Sequence, residues 1–266
     1  MLCSLCQAAQ AYLKRTSSPP AGAHRKRSHL PWCHQRMARF LPLANGIAAR
    51  HTIQLMCSHY QGIQGRERFE RHFGTALPED AGQADVWPGY RALFIRNTPA
   101  GAPPTAPHWQ ALTGLFGLVP HWSTDLRMTR HTYNARSETA FEKPSFRDAW
   151  RRSQHCIIAA EALFEPDWRS GRAVAARIAS ADGAPLGVAG LWSCWRVQEQ
   201  EIFSFTMLTV NADDHPVMRL MHKPGEEKRM VVVLPPQHYG DWLSMPARES
   251  LAFLQCQREP DRLVLT

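Results

Sequence analysis

Four short segments hold the side chains best suited to chemistry. Met56-Cys57-Ser58-His59-Tyr60 offers a thiol at the point where the chain turns globular. Tyr133-Asn134-Ala135-Arg136-Ser137-Glu138-Thr139 brings together an amide that both donates and accepts hydrogen bonds, a guanidinium whose fork suits phosphate, and a carboxyl able to pair with it. Glu165 closes an apolar run from Ile157 to Phe164, and a carboxyl beside such a strand can be held protonated and shuttle protons. The last segment runs Thr206-Met207-Leu208-Thr209-Val210-Asn211-Ala212-Asp213, reaches Met221-His222, and closes with Arg229-Met230-Val231-Val232-Val233-Leu234. An imidazole exchanges protons near neutral pH. Each residue also has a structural reading: Cys57 as a buried thiol, Asn134 as a turn residue, Arg136 in an ion pair with Glu138, Glu165 as an exposed strand end.

An α+β chain must position these groups. Gln64–Phe73 reads as a short amphipathic helix, and Arg91–Arg96 and Ala111–Val119 as strands joined by a Pro/Ala/Gly/Thr loop over Thr98–Pro107. Ser145 is expected to cap a helix running to Arg152, with Asp148 at its third position. Cys156–Phe164, Ala173–Ala179, Leu186–Val197, Ile202–Val210 and Met230–Leu234 are strand-like. Pro235-Pro236 opens a short helix ending near Trp242-Leu243, and Ala247–Gln255 forms another. Many strands with few short helices define the class.

Charge divides the chain in two. Of 31 Lys+Arg and 23 Asp+Glu, residues 1–55 hold eight of the basic residues and none of the acids, so residues 56–266 carry no net charge. A nucleic-acid site on such a domain must place its cations locally. The basic, acid-free leader reads as a nucleic-acid-binding arm, a transit peptide, or a segment upstream of the true start at Met56, and the last is favoured. Seven cysteines at irregular spacing point to free thiols in a reducing cytoplasm. Cys3 and Cys6 alone have metal spacing, with no second pair to complete a site. No apolar run reaches the roughly 20 residues of a membrane span. No P-loop or dinucleotide fingerprint occurs, so no nucleotide cofactor and no metal are expected.

In this order the four blocks resemble the SOS-response-associated peptidase (SRAP) family, over residues 56 to about 245. Asn134-Ala135-Arg136-Ser137-Glu138-Thr139 is the most specific of them. The resemblance implies a curved, partly barrel-like, mainly antiparallel β core flanked by short helices, in one domain over residues 56–266. It implies that Cys57 becomes the N-terminal residue and bonds covalently to abasic sites in single-stranded DNA. An N-terminal cysteine is a 1,2-aminothiol. Its amine condenses with the aldehyde of the opened sugar, and its thiol closes a five-membered thiazolidine. An internal cysteine has only an amide nitrogen, which is why Met56 is favoured as the start, trimmed off before the small Cys57, with removal of the leader by Cys57 itself as the other route. Asn134, Glu165 and His222 match the family's catalytic residues. Arg136, Trp122 and Thr209 match its DNA contacts, with Glu138 in support. The partner is abasic single-stranded DNA met by a monomer in the nucleoid. A cysteine peptidase acting mainly on itself and a non-enzymatic nucleic-acid-binding protein are the alternatives.

The chain departs from the family at three points. Ala160-Glu161-Ala162 stands where Ala-Asp-Gly is common, which makes Glu161 a rival to Glu165. Lys223–Lys228 lengthens the loop after His222, for which His215 is the bland alternative. Ser58-His59 stands where Gly-Arg is frequent and removes one phosphate-binding cation. Arg127, Arg130 and His131 are the candidates to replace it.

Overall fold

Five long, largely apolar segments close a barrel in this computed structural model, which describes residues 58–257 and 262–266. The basic leader, Cys3, Cys6 and Cys57 lie outside the described residues. In chain order the strands are β1 (His59–Gly62), β2 (Asp85–Val86), β3 (Arg91–Asn97), β4 (Trp109–Phe116), β5 (Asn134–Arg136), β6 (His155–Asp167), β7 (Val174–Ser180), β8 (Leu186–Val197), β9 (Gln200–Asn211), β10 (Arg229–Val231), β11 (Val233–Leu234) and β12 (Leu263–Leu265). The helices are α1 (Arg66–Phe73), α2 (Arg147–Arg151), α3 (Tyr239–Ser244) and α4 (Ala247–Cys256).

The ring runs β3–β4–β9–β8–β6 and back to β3. Every pair in it is antiparallel except β4–β9. Inside lie Phe94, Phe116, Ile158, Phe205 and Met207, all buried. Gly190 is required here: a Cβ would collide with Ile158 and with the carbonyl of Thr206. Among the described residues no helix is long and apolar enough to cross a membrane.

Two departures from regular pairing build the site. The first half of β6 belongs to the barrel, and its second half leaves it to pair with β1 and β7. β8 and β9 are paired from Val197↔Gln200 up to Gly190↔Met207. Beyond that they splay, and the segment predicted as one strand over Met230–Leu234 fills the gap as two: β10 pairs with β9 and β11 with β8. Val232 bridges the change of partner, donating to Leu208 and accepting from Ala189.

The expected cap at Ser145 is not formed. Phe146 occupies the N-cap of α2 without a side-chain bond, because the backbone N–H groups of Phe146 and Arg147 already bond to the Lys143 carbonyl. The strand expected at 111–119 runs instead over Trp109–Phe116, ended by Gly117 at φ 117°.

Candidate active site

Glu165 lies on the half of β6 that has left the barrel, paired opposite Ala176 of β7. His222 follows the one-turn 3₁₀ helix Met218–Leu220 and is drawn against the same strand. Its backbone N–H donates to the Pro166 carbonyl at 2.8 Å, and its carbonyl accepts from the Lys228 Nζ at 3.1 Å. Lys228 also donates to the Lys223 carbonyl, which ties the base of the long loop together. Between these clamps His222 has φ 64°, a left-handed conformation that costs a non-glycine residue on the order of 1 kcal/mol. The reward is aim: Nε2 stands 3.5 Å from Glu165 Oε2, with each side chain 1% exposed. A buried carboxyl beside a buried imidazole can pass a proton in either direction without losing it to bulk water.

A second group is organised by Arg229, a residue absent from the candidates read in the sequence. Its buried guanidinium donates to the Thr209 carbonyl and hydroxyl, to Glu138 at 2.8 Å and to Glu227 at 2.8 Å. The other oxygen of Glu227 pairs with Arg136 Nη1 at 2.8 Å. The hydrogen bond from Arg229, with the charges of Arg229 and Arg136 behind it, holds the Glu227 carboxyl below the usual range. β5 lies parallel to β9, with Asn134 opposite Met207 and Arg136 opposite Thr209. Asn134 and Arg136 therefore project from the same side of that strand. The loop over 223–228 joins the two groups, since Lys228 holds His222 and Glu227 holds Arg136.

Several expectations about individual residues change. Glu138 does not pair with Arg136; Arg229 takes it, because the side chain of Arg136 is claimed by Glu227. Thr209 is 1% exposed and its hydroxyl is engaged by Arg229, so it stands behind the cation instead of presenting itself to DNA. Glu161 is spent on a bidentate pair with Arg68 at 2.8 and 2.9 Å, away from His222. His215 accepts from the backbone N–H groups of Val217 and Met218 and so caps a turn. Trp122 is 47% exposed, which excludes core packing; its indole N–H points to the Pro144 carbonyl. Of the three replacement cations, Arg127 is neutralised by Asp125, while Arg130 and His131 are exposed and form no ion pair among the described residues. The Cys156 thiol is a poor nucleophile, since full burial pushes it well up.

The His59 ring is sandwiched between Trp87 at 4.1 Å and Phe164 at 4.3 Å, nearly parallel to both, and its Nε2 lies 3.2 Å from Asp85. Arg229, Glu227 and Lys228 had one legible signal, a charged cluster interrupting an apolar strand. Which partner each takes depends on contacts between segments far apart in sequence.

Comparison with known proteins agrees with this architecture. The chain is 32% identical over 144 residues to the abasic site processing protein YoaM of Bacillus subtilis, a stretch covering 53% of this chain and 59% of that protein. It is 30% identical over 149 residues to the abasic site processing protein YoqW of the same bacterium, covering 54% and 62%. The matched stretches thus span about three fifths of these curated relatives. A crystal structure of a Bordetella bronchiseptica protein superimposes with a TM-score of 0.68 at 44% identity, covering 79% of this chain and 98% of that one. One from Bacteroides thetaiotaomicron, at 20% identity and a TM-score of 0.61, covers 79% and 90% and shares the fold. The model of one family matches residues 56–264, most of the chain, and this protein therefore belongs to the SOS response associated peptidase (SRAP) family.

Proposed function

We propose that this protein captures abasic sites in single-stranded DNA through its domain over 56–266, forming a thiazolidine at Cys57 once removal of Met56 and anything before it has made Cys57 N-terminal. The observation that carries the reading is the buried Glu165–His222 pair beside the start of β1. His59 is registered opposite Phe164, the neighbour of Glu165. Two peptide links hold residues 57 and 59 within roughly 7 Å of each other, Cα to Cα. The names of the curated relatives support abasic sites as the target.

The chemistry balances without a cofactor. The Cys57 amine adds to the aldehyde carbon, and water leaves to give an imine. The thiol sulfur then bonds to that carbon, and its proton goes to the nitrogen. An α-amine with a pKa near 8 supplies a useful neutral fraction at physiological pH. Glu165 carries protons to and from the departing oxygen, and His222 protonates the ring oxygen as the sugar opens. Asn134 orients the reacting groups, Arg136 takes a backbone phosphate, and Trp122 offers an open face to a base. Glu138 and Thr209 act through Arg229. The same Cys57 would remove the leader by attack on the peptide bond before it, and each adduct consumes its protein.

Mass spectrometry of the purified protein, before and after incubation with an abasic oligonucleotide, tests the reading. Chains beginning at Cys57 should gain the mass of the oligonucleotide less one water, and Cys57→Ala should gain nothing. Capture by chains that all still carry the leader would overturn the mechanism.

A further inference from the structure

The position where family resemblance leads one to expect a phosphate-binding cation holds the middle ring of a three-ring stack. Phe164, His59 and Trp87 lie nearly parallel, with centroid spacings of 4.3 and 4.1 Å and interplanar angles of 11° and 8°. The stack ends in solvent. With one face of Trp87 against His59, its 43% exposure must include much of the other face. The ring is also held in place. Tyr90 N–H donates to the Trp87 carbonyl at 2.9 Å, Gly89 N–H donates to the Phe116 carbonyl at 2.6 Å, and Pro88 fixes the turn between them. A flat, pre-oriented aromatic surface loses little entropy when a second ring settles on it.

The charge around it selects the occupant. Asp85 lies 3.2 Å from His59 and is 73% exposed, so the spot carries a carboxylate where a phosphate would need a cation. A nucleobase, uncharged and planar, fits this surface; a phosphate does not. Position matters as well. Phe164 is the covalent neighbour of Glu165, and His59 lies two residues from position 57. A strand joined at Cys57 would be tethered two residues from the middle ring of the stack.

We propose that the outer face of Trp87, backed by His59 and Phe164, is a stacking subsite for the nucleobase adjacent to the abasic sugar. The inference rests on the capture reading above and adds to it a dependence on the neighbouring base. Where a cation at position 59 would hold a phosphate, this subsite offers a face on which every base can stack and which purines cover best.

The test measures rates of adduct formation at limiting protein, with the lesion flanked by adenines or by tetrahydrofuran spacers that lack both base and aldehyde. The wild type should capture the adenine-flanked lesion about tenfold faster, in keeping with one base–aromatic stack. In Trp87→Ala the ratio should fall to about one, and Trp87→Phe should restore most of it, with thermal melts confirming that both variants fold. Capture by the wild type with no preference for flanking bases, or a full preference surviving in Trp87→Ala, overturns the subsite alone. Absence of any adduct with either strand overturns the capture reading and the subsite with it.

Discussion

Replacing Arg229 with methionine should be among the most damaging single changes at the site, although Arg229 is not expected to touch the substrate. The side chain is 4% exposed and serves the Thr209 carbonyl, the Thr209 hydroxyl, Glu138 and Glu227 together. Methionine keeps most of the volume, so little cavity forms. The substitution strips a buried carbonyl of its donor, at about 1–3 kcal/mol. Two carboxylates also lose their counter-charge. Removing one partner of a fully buried pair costs about 3–5 kcal/mol, but Glu138 and Glu227 are partly exposed and regain hydration, so the lower end applies. A total of about 4–6 kcal/mol in a domain of this size lowers the melting temperature by about 8–24 °C. Calorimetry of Arg229→Met measures this, and adding Glu138→Gln and Glu227→Gln to the same chain should recover part of the loss by removing the stranded charges. A fall of less than about 3 °C, or no recovery in the triple variant, would refute the view that this cation organises the β5–β9–β10 corner.

Three further outcomes follow from the same contacts. Glu227→Gln should tighten binding of undamaged single strands about two- to fivefold, because Arg136 is released from a half-exposed carboxylate, and in an Arg136→Ala background the gain should vanish in a fluorescence anisotropy titration. Glu165→Gln should slow adduct formation at least a hundredfold while Glu161→Gln stays within about twofold of wild type, since Glu161 is bound to Arg68; equal effects would return Glu161 to contention. Burial depresses His155, whose Nε2 faces the Ser250 hydroxyl, to a pKa of about 4. The unfolded chain then binds the extra proton first as pH falls. Stability contributed by the neutral ring is fully present above about pH 6.5 and declines by about 3 kcal/mol in all toward pH 4. Imidazole NMR at pH 5 should find this ring neutral, and a protonated ring there would refute the assignment.

Local pattern was enough for much of the scaffold. Leu186–Val197 was legible to the residue because apolar runs bounded by turn residues read as strands wherever they pair. β5 and β12, three residues each, are too short to read as strands and form by pairing with β9 and β7. The ordered blocks around Asn134, Glu165 and His222 were legible as a set because each side chain has its own chemistry. The partners of these residues were not. Choosing between Glu161 and Glu165 required knowing which of them faces Arg68, and the left-handed turn at His222 is imposed by Pro166 and Lys228 from either side.

Sequence by itself determined which functional groups the chain owns and which stretches extend or coil, because residue type and local spacing set both. Tertiary structure alone decided which acid neutralises which cation, that Thr209 lies behind Arg229, and that His59 became the middle of a stack. Electrostatic and stacking energies fall off within a few ångströms, so these outcomes depend on through-space distances that closure of the barrel creates.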